Sequence, residues 1–142
     1  MENKLQQYRE ATDMVCDMLC KHIKNIKFRY IDVSKKVIKN GLKQVEFLED
    51  QISKYEKEPF YRIQTLKKLY FMKRMLKKVD DIIYIFEPLL NVEIVSNEVV
   101  IEYLEQNLKV KLIKESENDF VETDVLYQFL IQEVLEEGGY IC

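Results

Sequence analysis

Residues over 5–55 form a mostly apolar series at steps of three and four, with one irregular passage around Asn40-Gly41. The series runs Leu5, Tyr8, Thr12, Val15, Leu19, His22, Ile26, Tyr30, Val33, Val37, Val45, Leu48, Ile52, Tyr55. That spacing places every one of these side chains on one side of a helix. Charged residues such as Lys4, Arg9, Asp13, Asp17 and Lys24 fall between them. The pattern predicts a helix over 3–39, with Asp32 and Ser34 suited to restart it after a kink near Phe28–Ile31. Asn40-Gly41 is the next weak point. We expect a break there, Gly41 closing one helix as a left-handed cap and the chain folding back. The alternative is a glycine inside a continuous helix, at a cost of about 1 kcal/mol.

The periodicity resumes over 42–57 and stops at Glu58-Pro59, since proline suits only the first turn of the next helix. That helix, 59–86, shows the line Phe60, Ile63, Leu66, Leu69, Met72, Leu76, Val79, Ile83, Phe86. It can zip against the first seam as a helical hairpin or three-helix bundle. Glu87-Pro88 is the natural boundary between a bundle over 1–87 and a smaller module over 88–142. Beyond it the texture changes. Val92–Val95 reads as a short strand, 97–106 as a helix capped by Ser96-Asn97, and Leu108–Ile113 alternates as a strand does. Phe120-Val121 is expected to return as the second arm of a β-hairpin after the turn Ser116–Asp119. A last helix, 124–137, follows Thr123, with Val125, Leu126, Phe129, Leu130 and Val134 as its inward face and Gly138 in the capping role. The expected fold is mainly α, with a small α+β module at the C-terminus.

Composition agrees with long regular elements: three glycines and two prolines in 142 residues. The net charge of −3 hides an asymmetry. Residues 1–87 carry 19 basic and 13 acidic side chains, residues 88–142 only 3 and 12. The halves, +6 and −9, could attract each other within one molecule or head to tail between molecules. Cys16, Cys20 and Cys142 suggest no disulfide framework and hence a reducing compartment. There is neither a signal-like leader nor an apolar run of membrane-spanning length, so the expected location is intracellular, in the cytoplasm with the nucleus left open.

Little in the chain suits catalysis. His22 is the only histidine and lies on the seam; Cys16 and Cys20 lack the second ligand cluster that zinc requires. Asp80-Asp81 and Glu136-Glu137 are helix neighbours that do not face each other. No phosphate-binding glycine motif occurs. The sequence therefore predicts a non-enzymatic interaction, adaptor or regulatory protein with no metal or cofactor. Where the N-terminal helix is not fully covered within the chain, its expected contact seam for a protein partner or a second copy is Tyr8, Val15, Leu19, His22, Ile26 and Tyr30. On that expectation Leu19→Lys abolishes assembly and spares helicity. A second candidate surface is the acid-free stretch Arg62, Lys67, Lys68, Lys73, Arg74, Lys77, Lys78, interleaved with Tyr61, Tyr70 and Phe71, which suits nucleic-acid phosphates.

Residues 97–108 and 120–129 carry one further signal. Val100, Tyr103, Leu104, Val121, Leu126, Tyr127 and Phe129 resemble the winged-helix-like segment of viral and phage primase-helicases. The resemblance implies a viral or mobile-element setting and a DNA-linked process. It departs where that segment continues into a DNA-facing helix, because here Glu133, Glu136 and Glu137 would repel phosphate.

Overall fold

The computed structural model describes residues 2–54, 59–91, 94–96, 102, 105–106 and 120–142. Four long helices dominate it: α1 (Glu2–Lys24), α2 (Ile31–Ser53), α3 (Pro59–Phe86) and α4 (Thr123–Glu137). Tyr8 reaches Gln51, and Leu19 lies against Gly41, so α1 and α2 run antiparallel. Lys35 meets Glu87 at 3.0 Å and Lys73 meets Glu46 at 3.6 Å, so α3 turns back along α2. α4 packs on α1 and α3 and runs against both, bringing Gln128 to Ile26 and Gly138 to Met75. One core results: Leu19, Ile23, Ile38, Leu76 and Tyr127 all belong to it. The last helix thus shares its interior with the three that precede Glu87-Pro88.

The mainly helical character expected from the periodicity holds. The anticipated β-hairpin is not seen among the described residues. Instead β1 (Ile94–Ser96) pairs antiparallel with β2 (Phe120–Glu122), Val95 opposite Val121. The strand expected over 108–113 lies outside the described residues; of the helix expected over 97–106, Glu102, Glu105 and Gln106 are described and are helical.

The first long helix breaks earlier than its pattern suggests. α1 stops at Lys24, Lys27 is extended (φ −127°, ψ 142°), and a 3-10 turn spans Phe28–Tyr30. Asn25 bonds back to the Lys21 carbonyl at 2.9 Å, a local competitor of helix propagation. Phe28 drops into the core against Phe86 and Tyr127, and the Gln128 amide donates to the freed Ile26 carbonyl at 2.8 Å. These tertiary contacts hold the turn without a glycine or proline.

Gly41, where the break was expected, lies inside continuous α2. Its value is the absence of a side chain. A Cβ there would sit 2.6 Å from Leu19 Cδ2 and 3.1 Å from Cδ1, and Leu19 is fully buried. Gly41→Ala gains about 1 kcal/mol of helix propensity but overpacks the α1–α2 crossing at about 1–3 kcal/mol. We expect a net loss of about 1 kcal/mol in thermal melts, and less than additive loss when combined with Leu19→Ala. Strict additivity in that double variant would mean the two positions do not touch.

The inward line of α3 matches expectation at Leu69, Met72, Leu76, Val79, Ile83 and Phe86, whereas Ile63 is exposed and the Phe60 side chain is not described. On α4 the line is rotated. Leu130 and Val134 are buried as expected and Tyr127 and Ile131 join them, while Val125 and Phe129, expected inside, face outward. Gly138 closes α4 with φ −93°, not in a left-handed conformation. Met75 Sδ occupies the space its Cβ would need, 2.6 Å away.

Candidate interaction surface

The seam assigned to a partner is largely closed by the chain itself. Leu19 and Ile26 are buried; Tyr8, Val15 and His22 are half-buried; Tyr30 alone of the six is exposed, its ring under the Arg29 guanidinium. Leu19 and Ile26 face the core and are not a contact surface in this fold. Their spacing signalled a buried face, and α2, α3 and α4 supply the cover.

His22 carries a buried Nε2 without a hydrogen-bond partner among the described residues. Burial holds its pKa below the usual 6.5. The native state therefore keeps the ring neutral, while the unfolded chain binds a proton as pH falls through 6.5. The contribution is full above that value and is lost as pH drops toward the lower native pKa. We expect His22→Gln to flatten the decline of urea-melt stability on the acid side of neutrality. An unchanged slope would show that His22 titrates alike in both states.

The cysteines depart from expectation. Cys20 and Cys142 form a disulfide across 122 residues, with Cα atoms 5.6 Å apart. The argument for a reducing compartment, which rested on unpaired cysteines, falls with it. Cys16 is a buried thiol, pushed up to about 11 mainly by burial, opposed by Lys68 and aided by Asp13. Among the described residues no group of three or more His, Cys, Asp or Glu is arranged to hold a metal ion, and no helix is long and apolar enough to cross a membrane.

The basic residues of α3 divide by direction. Lys68 pairs with Asp13 of α1 at 2.8 Å, Lys73 with Glu46 and Glu49 of α2, and Lys78 with Glu137 of α4. These three lysines tie α3 to each of its neighbours. Lys67, Arg74 and Lys77 instead lie on the exposed side, at i, i+7 and i+10. The side chain of Arg62 lies outside the described residues.

Tyr70 shares that outer face and is 52% exposed. Arg74 lies over its ring, 6.0 Å from the centroid. Edge contacts continue from Tyr70 to Phe71 (5.6 Å) and from Phe71 to Tyr140 (5.3 Å). The C-terminal segment thus extends an aromatic row begun on α3. Beneath it lies a recess of about 220 Å³ lined by Phe71, Arg74, Met75, Lys78, Val134 and Tyr140. The outcome is a basic, aromatic surface next to a recess of mixed lining, where Phe71, Met75 and Val134 meet Arg74, Lys78 and Glu137, a composition suited to binding.

The outer face of α4 has the opposite character. Val125 and Phe129 are exposed at i and i+4, and Glu133 and Glu136 continue the same face. A further recess of about 790 Å³, at the α1–α2 turn, mixes Lys24, Lys27 and Arg29 with Glu122 and Asp124. Sequence reasoning missed Tyr140, whose only signal is an aromatic ring just past Gly138-Gly139. It also placed Val125 and Phe129 in the core, because α4 is apolar around most of its circumference. Comparison with protein-family models, with curated proteins and with solved structures finds no match.

Proposed function

We propose that this chain is a non-enzymatic interaction module that binds protein through the outer face of α3, with a second copy of itself as partner. One observation carries the reading: the chain presents two exposed faces of complementary character. Tyr70, Arg74, Lys67 and Lys77 make a basic aromatic surface on α3; Val125, Phe129, Glu133 and Glu136 make an acidic apolar surface on α4. Aromatic and arginine side chains are the residues most often found to anchor protein interfaces. Contact between unlike faces is heterologous, so association extends into rings or chains unless the rotation closes.

Light scattering tests this directly. The expected mass exceeds the 17.1 kDa monomer at low salt and falls toward it as salt screens the charged rim. Arg74→Glu and Phe129→Glu should each hold the protein at monomer mass with the helical circular dichroism intact. A mass of 17.1 kDa at every concentration and salt would remove self-association.

A second reading, a nucleic-acid accessory factor, draws on the exposure of Lys67, Arg74 and Lys77 around Tyr70. Single strands bind such mixtures of cations and stacking rings. Against it, Lys68, Lys73 and Lys78 each pair with a carboxylate of a neighbouring helix at the surface. Three phosphate contacts give only a shallow salt slope of about −2 in log–log terms on a single strand. Fluorescence anisotropy with a labelled oligothymidine decides it: no change at low salt removes this reading.

A further inference from the structure

We infer that the Cys20–Cys142 disulfide is a redox latch that holds the C-terminal segment over the recess on α3, and that its reduction frees the segment. The placement is unusual in its asymmetry. Cys20 is buried on α1, whereas Cys142 is exposed at the far end of the chain. Between α4 and Cys142 lie only Gly138, Gly139, Tyr140 and Ile141. The segment coils into a tight turn, the Ile141 and Cys142 amides both donating to the Gly138 carbonyl at 2.9 and 3.3 Å.

Its noncovalent hold on the bundle rests on two side chains, Tyr140 against Phe71 and Ile141 against the core. Tyr140 is 70% exposed and touches Phe71 by a ring edge; Ile141 is half-buried. Ordering several backbone residues requires more compensation than such contacts provide, so the covalent bond keeps the segment in place. With the bond cut, the segment frays and Phe71, Met75 and Val134 lose part of their cover.

The exchange chemistry is direct. A thiolate of a small dithiol attacks the sulfur of Cys142, an exposed residue; the Sγ–Sγ bond breaks and Cys20 leaves as a thiolate that takes a proton. The second thiol of the reagent then displaces Cys142, which is protonated in turn. Two electrons and two protons pass to the protein, and the reagent becomes its own disulfide. Oxidised glutathione reverses the step, yielding two molecules of the reduced tripeptide. Cys16, one turn from Cys20 but buried, takes no part.

The latch stands on the disulfide; its effect on association rests on the reading proposed above. In that reading the opened recess accepts an apolar side chain of the neighbouring copy, so reduction strengthens association. The test uses the full chain treated with oxidised glutathione or with dithiothreitol. Thiol titration in denaturant should count one thiol after oxidation and three after reduction. Hydrogen exchange at the Gly139–Cys142 amides should quicken about tenfold or more on reduction while α1–α3 stay protected. Cys142→Ser should exchange like the reduced protein under both conditions, and Cys16→Ser should retain the redox response. Three titratable thiols after oxidation, or a segment equally protected in both states, would overturn the latch. A segment that opens on reduction while light scattering reads monomer throughout upholds the latch and removes the association reading alone.

Discussion

Leu19→Lys should unfold this protein rather than disperse it. Leu19 is fully buried in α1 and packs against Gly41 of α2. Losing its side chain from such a site costs about 2–5 kcal/mol even when alanine replaces it. A lysine adds the cost of placing an ammonium in a space built from methyl groups. Against a total stability of about 5–15 kcal/mol, these terms remove most or all of the margin. The expected result is loss of the cooperative helical melt in circular dichroism at room temperature. This reverses what the seam alone suggests, namely intact helices and lost assembly. Retained helicity with a normal melting temperature would show that Leu19 is not in the core.

Tyr127 should give two opposite results at one position. Its ring is fully buried between Phe28 (5.3 Å between centroids) and Phe86 (5.4 Å), while its hydroxyl has no hydrogen-bond partner among the described residues. Tyr127→Ala removes the ring from that cluster and should cost about 3–5 kcal/mol. Tyr127→Phe keeps the ring and discards an unsatisfied polar group, which should stabilise by about 1–3 kcal/mol. Burial also pushes the phenol well above its ordinary value of 10. The native state thus binds a proton that the unfolded chain releases above pH 10. That contribution is present below pH 10 and is lost as pH rises beyond it, so the wild type should weaken in alkali more than Tyr127→Phe does. Equal melting temperatures for Tyr127→Phe and the wild type would mean that the hydroxyl finds a partner.

Much of the bundle could be read from spacing. The inward line of α3 from Leu69 to Phe86, the start of that helix at Pro59 and its end before Pro88 all follow from local rules. Helical periodicity and the missing proline N–H act within one or two turns, so they are visible in a linear string. The seam of α1 was equally visible, but its meaning was not. A buried stripe and an interface stripe have the same pattern; only the presence of α2, α3 and α4 against Leu19 and Ile26 distinguishes them.

The candidate surface was half legible. Lys67 through Lys78 stand out as an acid-free run, yet the string does not show that Lys68, Lys73 and Lys78 turn to Asp13, Glu46 and Glu137. Nor does it show Tyr140 brought beside Phe71. α4 offered two apolar faces, Val125-Phe129 and Tyr127-Leu130-Ile131-Val134, of similar strength. The rings of Phe28 and Phe86 chose the second, because they leave a space that Tyr127 fills.

By itself, then, the order of residues determined that this chain forms long helices, where prolines divide them and which stripe on α3 is apolar. Tertiary packing decided the rest: the turn at Asn25–Tyr30, the unbroken helix through Gly41, the rotation of α4 and the joining of Cys20 to Cys142. The physical reason is range. Backbone hydrogen bonding and proline geometry act on near neighbours, while the fit of Leu19 over Gly41, or of Tyr127 between two phenylalanines, depends on residues that meet only after the chain has folded.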